Sequence, residues 1–170
     1  MGSSGSRLLL ASASPRRHEL LARLGIEFEV RVADLDETPL PGEEPRAYVT
    51  RLAAAKARAV ADVAPEPEVV VIGADTAVVV DGHLLGKPVD DADAARMLRL
   101  LSGRTHQVLT GVAVAGPVDP PPALVDVAVT DVTFASLSDD DIAWYVASGE
   151  PADKAGAYAG PGRGAVFGTS

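Results

Sequence analysis

The chain has 170 residues, 47% hydrophobic and 23% charged, enough for one good core that can divide into two lobes. Its 24 acidic against 15 basic residues give a formal net charge of −9 and argue against a duplex nucleic-acid surface, which needs a dense basic face. The absence of cysteine excludes disulfides, thiolate metal sites and cysteine nucleophiles, and apolar runs such as Val69 to Ile72 are far too short to cross a bilayer.

Met1 to Ser6 reads as an appended tag and is set aside, so that a single domain is expected over 7–170. A strand at Leu8–Ala11 leads into a helix at Pro15–Leu24, with Leu20, Leu21 and Leu24 on one face and Gly25 just past its end. Pro15 suits the first turn, where its missing N–H has no partner to lose, and Ser14 is the natural N-cap. A strand near Phe28–Val32 precedes a polar, proline-rich loop from Asp34 to Pro45. Pro45 opens a second helix to about Val63, with Tyr48, Val49, Leu52, Ala55, Ala59 and Val60 at helical spacing, and Pro65 and Pro67 end it.

The continuous apolar run Val69–Ala74 fits a strand buried on both faces. Val78–Val80 and His83–Leu85 flank Asp81-Gly82, a hairpin turn signal. A third helix is predicted over Asp90–Leu101, with acidic residues in its first turn and Gly103 beyond it. Strands near Gln107–Ala115 and Leu124–Ala135 follow, joined by the loop Gly116–Pro122. Ser138 with Asp141 resembles a capping box for a helix at Asp139–Ser148, stopped by Gly149, and glycines at 156, 160, 162 and 164 mark an irregular end. Helices and strands mix without strict alternation. The expectation is an α/β fold with a mixed, twisted sheet flanked by helices, rather than a doubly wound parallel one.

Three places could carry chemistry. Ser12-Ala13-Ser14-Pro15-Arg16-Arg17 sets two hydroxyls, two guanidiniums and free backbone N–H groups at the positive end of a helix, as a phosphate site does. A capped surface helix with two solvated arginines has the same sequence. Asp75, in Gly73-Ala74-Asp75-Thr76, sits at the end of the most apolar strand, where α/β folds often bind ligands; it could equally cap a turn. Asp34, Asp36 and Glu37 could hold a hard divalent cation or simply form a solvated loop. Twelve of the fifteen cations are arginine, so Lys56, on an alanine-rich helix face, and Lys87, in Gly86-Lys87-Pro88, stand out by their rarity. His18, His83 and His106 show no metal spacing and receive no role. Together, the arginines, lysines, strand Asp and acidic loop form an inventory for metal-assisted attack on a phosphoanhydride.

At these residues the chain resembles the Maf family of nucleoside triphosphate pyrophosphatases, once described as septum-formation inhibitors. The matching segments are Leu10-Ala11-Ser12-Ala13-Ser14-Pro15-Arg16-Arg17, Arg51-Leu52-Ala53-Ala54-Ala55-Lys56-Ala57, Gly73-Ala74-Asp75-Thr76, Gly86-Lys87-Pro88, Leu101-Ser102-Gly103-Arg104-Thr105-His106 and Asp153-Lys154-Ala155-Gly156-Ala157-Tyr158, in family order. The resemblance implies a mixed-sheet fold like that of inosine triphosphate pyrophosphatases, with a cleft between two lobes. It also implies hydrolysis of a nucleoside triphosphate to the monophosphate and pyrophosphate, with Mg²⁺ or Mn²⁺.

By the same resemblance, Asp75 is the proton acceptor that activates water, and Ser12, Arg16, Arg17, Lys56 and Lys87 contact the triphosphate. Glu37 and Asp75 support the metal. Arg17 and Thr76 are the residue types of the dTTP/UTP-preferring branch, whereas a third specificity position, usually Gln, falls on Pro161. Family members continue past Phe167 into a strand and a last helix, which this chain is expected to lack. The expected partners are a nucleoside triphosphate and, as the resemblance allows, a second copy in a homodimer, but neither duplex nucleic acid nor membrane. The expected location is the cytoplasm. Two other readings stay open: a non-catalytic nucleotide-binding or regulatory protein linked to septum formation, and a pyrophosphatase of different base preference.

Overall fold

The structure, a computed structural model, describes residues 7–64, 68–116, 124–159 and 163–169. Among them seven strands form one mixed sheet: β1 (Arg7–Ala11), β2 (Glu29–Val30), β3 (Val69–Val80), β4 (His83–Leu85), β5 (Thr105–Ala115), β6 (Leu124–Phe134) and β7 (Gly168–Thr169). Their order is β2-β1-β3-β5-β6-β7, with β4 paired to β3. β1 runs parallel to both β2 and β3, whereas β3–β4 and β6–β7 are antiparallel, so the sheet is mixed as expected. Among the described residues four helices accompany it: α1 (Pro15–Ala22), α2 (Pro45–Ala61), α3 (Asp91–Leu101) and α4 (Asp139–Ala147). Short 3₁₀ turns at Glu150–Asp153, Ala155–Ala157 and Arg163–Phe167 make up the glycine-rich end.

The chain divides into two compact units. One takes the described residues up to Asp75 together with those of Thr110–Ala128, and the other takes those of Thr76–Leu109 and Val129–Ser170. The first has a core of Leu9 and Ala11 from β1, Ala53, Ala57 and Val60 from α2, Val69 and Val71 from β3, and Ala113 and Ala115 from β5. The second packs Val78, Val80, Met97, Leu98, Leu101, Ile142 and Tyr145 around Phe134. In that unit the hairpin turn has Asp81 at φ 50° and Gly82 at φ 77°, the two positive values that a type I′ turn requires. The capping box on α4 is present, with the Asp141 amide donating to the Ser138 hydroxyl and the Asp141 carboxylate accepting from the Ser138 amide.

Three readings from sequence need correction. β3 does not stop at Ala74 and restart at Val78; it runs unbroken for twelve residues, so Asp75 lies within the strand rather than at its end. Ser14 occupies the N-cap position of α1, but its side chain makes no capping bond. The Ser12 hydroxyl accepts the Ser14 amide instead, at 3.2 Å. Finally, α1 ends at Ala22 rather than at Leu24; none of its residues is buried, and Leu20 and Leu24 are 50% and 69% exposed. Pro65, Pro67 and most of the loop Gly116–Pro122 lie outside the described residues.

β3 extends through Gly73 because this glycine serves packing rather than a turn. A Cβ at Gly73 would stand 2.3 Å from the Ala53 carbonyl oxygen and 2.6 Å from the Ala57 amide nitrogen, both on α2. A Cβ at Gly111 on β5 would likewise meet the Val49 carbonyl at 2.5 Å. Helix backbone therefore lies directly on sheet backbone, closer than any side chain would permit. Gly73→Ala should force α2 away from β3 and cost about 1–3 kcal/mol, as overpacking does. Urea denaturation checks this, and an unchanged midpoint would show that the helix moves off at no cost.

Candidate active site

Alternation along β3 places Val69, Val71, Gly73 and Asp75 on one face, the face toward α2. Because α2 sits so close at Gly73, Lys56 reaches the carboxylate two residues further on. Its ammonium donates to Asp75 Oδ1 at 2.6 Å and lies 2.7 Å from Glu37 Oε1. The Lys56 and Asp75 side chains are 13% and 9% exposed, so this pair is largely withdrawn from water. Arg17 completes the group. Its guanidinium donates to the Ser12 hydroxyl at 3.2 Å and to the carbonyl of Ala74, the residue before Asp75, at 3.0 Å. Two cations and two carboxylates therefore meet where the β1–α1 turn, α2 and β3 converge, all within the first unit.

The environment acts unevenly on these charges. Burial pushes the Asp75 carboxyl above its ordinary value, with the Glu37 charge acting the same way, while Lys56 and Arg17 oppose the shift. Burial lowers Arg17 from its usual value, and Asp75 and Glu37 counter it. Asp75 is thus a carboxylate with heightened basicity beside a fixed cation, as a group that accepts a proton from water requires.

Glu37 is delivered by the long loop between β2 and α2, which α2 holds from beneath. The Tyr48 hydroxyl donates to the Glu37 carbonyl at 2.9 Å. Burial, together with the Asp75 and Glu37 charges, raises that hydroxyl to about 12, so it stays protonated and donates. Arg51 grips Glu43 through two bonds of 2.6 and 2.7 Å and holds the Glu43 carboxyl down at about 2. Sequence reasoning passed over Tyr48, Glu43 and Arg51 as site residues. The available signal was the spacing of Tyr48, Arg51 and Lys56 along one helix beside an acidic loop.

The remaining candidates are placed differently. Arg16 is exposed in the first turn of α1. Thr76 follows Asp75 on β3 and by alternation belongs to the opposite face. Thr76 and Lys87 belong to the second unit, and Pro161 lies outside the described residues. His106, given no role, is a core residue there, 2% exposed and bonded through Nε2 to the Tyr158 hydroxyl at 2.6 Å. Asp36 accepts the Thr38 amide at 2.9 Å within its own loop. No helix among the described residues is long and apolar enough to cross a membrane.

Residues 7–169 match the family model described as "Maf-like protein". The chain belongs to the Maf family. It is 56% identical over 162 residues to a dTTP/UTP pyrophosphatase of Anaeromyxobacter dehalogenans (strain 2CP-C), covering 95% of this chain and 80% of that protein. A dTTP/UTP pyrophosphatase of Escherichia coli O157:H7 is 55% identical over 161 residues, covering 94% and 79%. The solved structure of a HAM1 protein from Coxiella burnetii shares the fold, with a TM-score of 0.55 at 21% identity over 78% of this chain and 75% of that one. The Maf assignment accords with a mixed α/β sheet and with the motif order read from the sequence.

A carboxyl whose folded pKa lies above its unfolded value weakens the fold once it ionises, so the stability it confers is full at low pH and is lost as pH rises through the folded value. Asp75→Asn removes that loss. Relative to the parent chain, this variant should show no gain in melting temperature at about pH 4 and a gain at about pH 8. A variant less stable than the parent at about pH 8 would mean that Lys56 more than offsets the burial of Asp75.

Proposed function

We propose that this protein hydrolyses nucleoside triphosphates, dTTP and UTP foremost, to the monophosphate and pyrophosphate in the cytoplasm. The observation that carries the reading is the buried Asp75 carboxylate. It is raised in basicity, anchored by Lys56, and flanked by Arg17 and Ser12 at the start of a helix. The names of the relatives at 55–56% identity support the same reaction and the same bases.

In this scheme Ser12, Arg16, Arg17, Lys56 and Lys87 bind the triphosphate, with the helix start and the guanidiniums offsetting its charge. Lys56 exchanges one carboxylate partner for a phosphate oxygen when substrate arrives. Asp75 takes the proton of a water molecule as its oxygen attacks the α-phosphorus. The bond from that phosphorus to the α–β bridging oxygen breaks, and pyrophosphate leaves with the electron pair. Arg17, Thr76 and Pro161 bear on base preference.

Among the described residues no group of three or more His, Asp or Glu side chains gathers as a metal cage. Glu37 and Asp75 converge on one ammonium, at 2.7 and 2.6 Å. Two carboxylates beside a phosphate site suit Mg²⁺ or Mn²⁺, which keeps waters and takes phosphate oxygens as its other ligands. These two residues would hold the ion, and its chemistry is to offset phosphate charge and acidify water.

Incubation with Mg²⁺ or Mn²⁺ and a panel of nucleoside triphosphates, with pyrophosphate detection, tests the reading. The expected products are monophosphate and pyrophosphate, and Asp75→Asn should lower kcat about 100-fold or more. Release of diphosphate and orthophosphate, binding without turnover, or an undiminished Asp75→Asn variant would each overturn it. Pro161→Gln should raise selectivity for dTTP and UTP over purine triphosphates, and an unchanged substrate profile would remove that segment from base reading.

A further inference from the structure

Glu37 reaches Lys56 from a loop that contributes no strand or helix between β2 and α2, so something other than secondary structure must fix its position. Its anchors project from α2 (Tyr48 and Arg51) and from Glu43, two residues before that helix begins. Arg51 donates from Nε to Glu43 Oε1 at 2.6 Å and from Nη2 to Glu43 Oε2 at 2.7 Å. The same Nη2 donates to the Thr38 carbonyl at 3.3 Å. Glu43 Oε2 also accepts the Leu40 amide at 3.0 Å, and its side chain is only 7% exposed. The Arg51 guanidinium lies 5.6 Å from the centre of the Tyr48 ring, and the Tyr48 hydroxyl holds the Glu37 carbonyl. The carbonyls of Glu37 and Thr38 are therefore pinned one after the other, with the Glu37 carboxylate left aimed at Lys56.

We infer that Arg51, Glu43 and Tyr48 form a positioning clamp that sets Glu37 against Lys56 and thereby orders the catalytic cluster, without touching substrate themselves. This rests on the pyrophosphatase reading above. A forked guanidinium is required because one side chain must hold both carboxylate oxygens and a backbone carbonyl at once, which an ammonium on a flexible stem does not do. Glu43 works as a relay, joining Arg51 to the Leu40 amide and so tying the far side of the loop to the helix.

The test is a double-mutant cycle joined to amide hydrogen exchange, on the full chain. Arg51→Lys should lower kcat for dTTP about 10-fold while changing KM less than about 3-fold, and should speed exchange at the Thr38 and Leu40 amides. Glu43→Gln, which keeps the side chain's shape, should act in the same direction and guards against a fold lost in the arginine variant. In a Glu37→Gln background, Arg51→Lys should change kcat less than about 2-fold, because the residue it positions is gone. A full 10-fold effect in that background would mean that Arg51 acts by another route, and unchanged exchange with unchanged kcat would remove the clamp. Should the parent chain release no pyrophosphate, the functional reading fails and the exchange measurement alone decides whether the clamp exists.

Discussion

The contact on which the site depends is the close seating of α2 on β3 at Gly73. A helix normally stands off a sheet by the thickness of its side chains. Here the Ala53 carbonyl and Ala57 amide occupy the volume that a side chain at Gly73 would fill. That closeness lets Lys56 span from the helix to Asp75 on the strand with an ion pair of 2.6 Å. Without it, Asp75 would be a buried carboxylate stripped of the ammonium it pairs with directly, a costly arrangement in a poorly solvated interior. Ala53 and Ala57, together with Gly73, are thus as much part of the site's construction as the charged residues they bring together.

The cluster that results is balanced but not at rest. Arg17 and Lys56 face Glu37 and Asp75, and every one of these side chains is satisfied by another or by backbone. A polyphosphate is a better partner for the two cations than the carboxylates are, since it offers more charge and more acceptor oxygens. Substrate binding would therefore free Asp75 for proton transfer while the protein's own charges keep its position set. The raised basicity of Asp75 comes from burial first, and burial is imposed by the same helix–strand contact.

Much of this was legible in the sequence, and the reasons differ by residue. Asp75 stood out because a carboxylate within an apolar run has few uses other than chemistry or a turn, and Lys56 because lysine is scarce in this chain. The hairpin at Asp81-Gly82 and the capping box at Ser138 were readable because each is fixed by two or three neighbouring residues. The continuation of β3 was not readable, since Gly73 has the same letter whether it breaks a strand or admits a helix, and only the partner backbone decides. The exchange of roles between Ser12 and Ser14 depends on which hydroxyl Arg17 draws toward the strand, a contact spanning more than fifty residues. The Arg51–Glu43–Tyr48 clamp was hidden for a related reason. Its longer contacts cross 8 to 13 positions through a loop with no periodicity to extrapolate from. Nor could composition foretell that α1 would keep its leucine face exposed.

The central claim is that Asp75 is a proton acceptor whose basicity the fold raises. The direct measurement is a carboxyl ¹³C NMR titration of Asp75, set beside the pH dependence of kcat/KM for dTTP. The expected result is that Asp75 titrates above its ordinary value of 3.8 and that the acidic limb of the rate profile falls with the same apparent pKa. An Asp75 carboxyl that titrates below 3.8, or a rate profile indifferent to its ionisation, would contradict the claim.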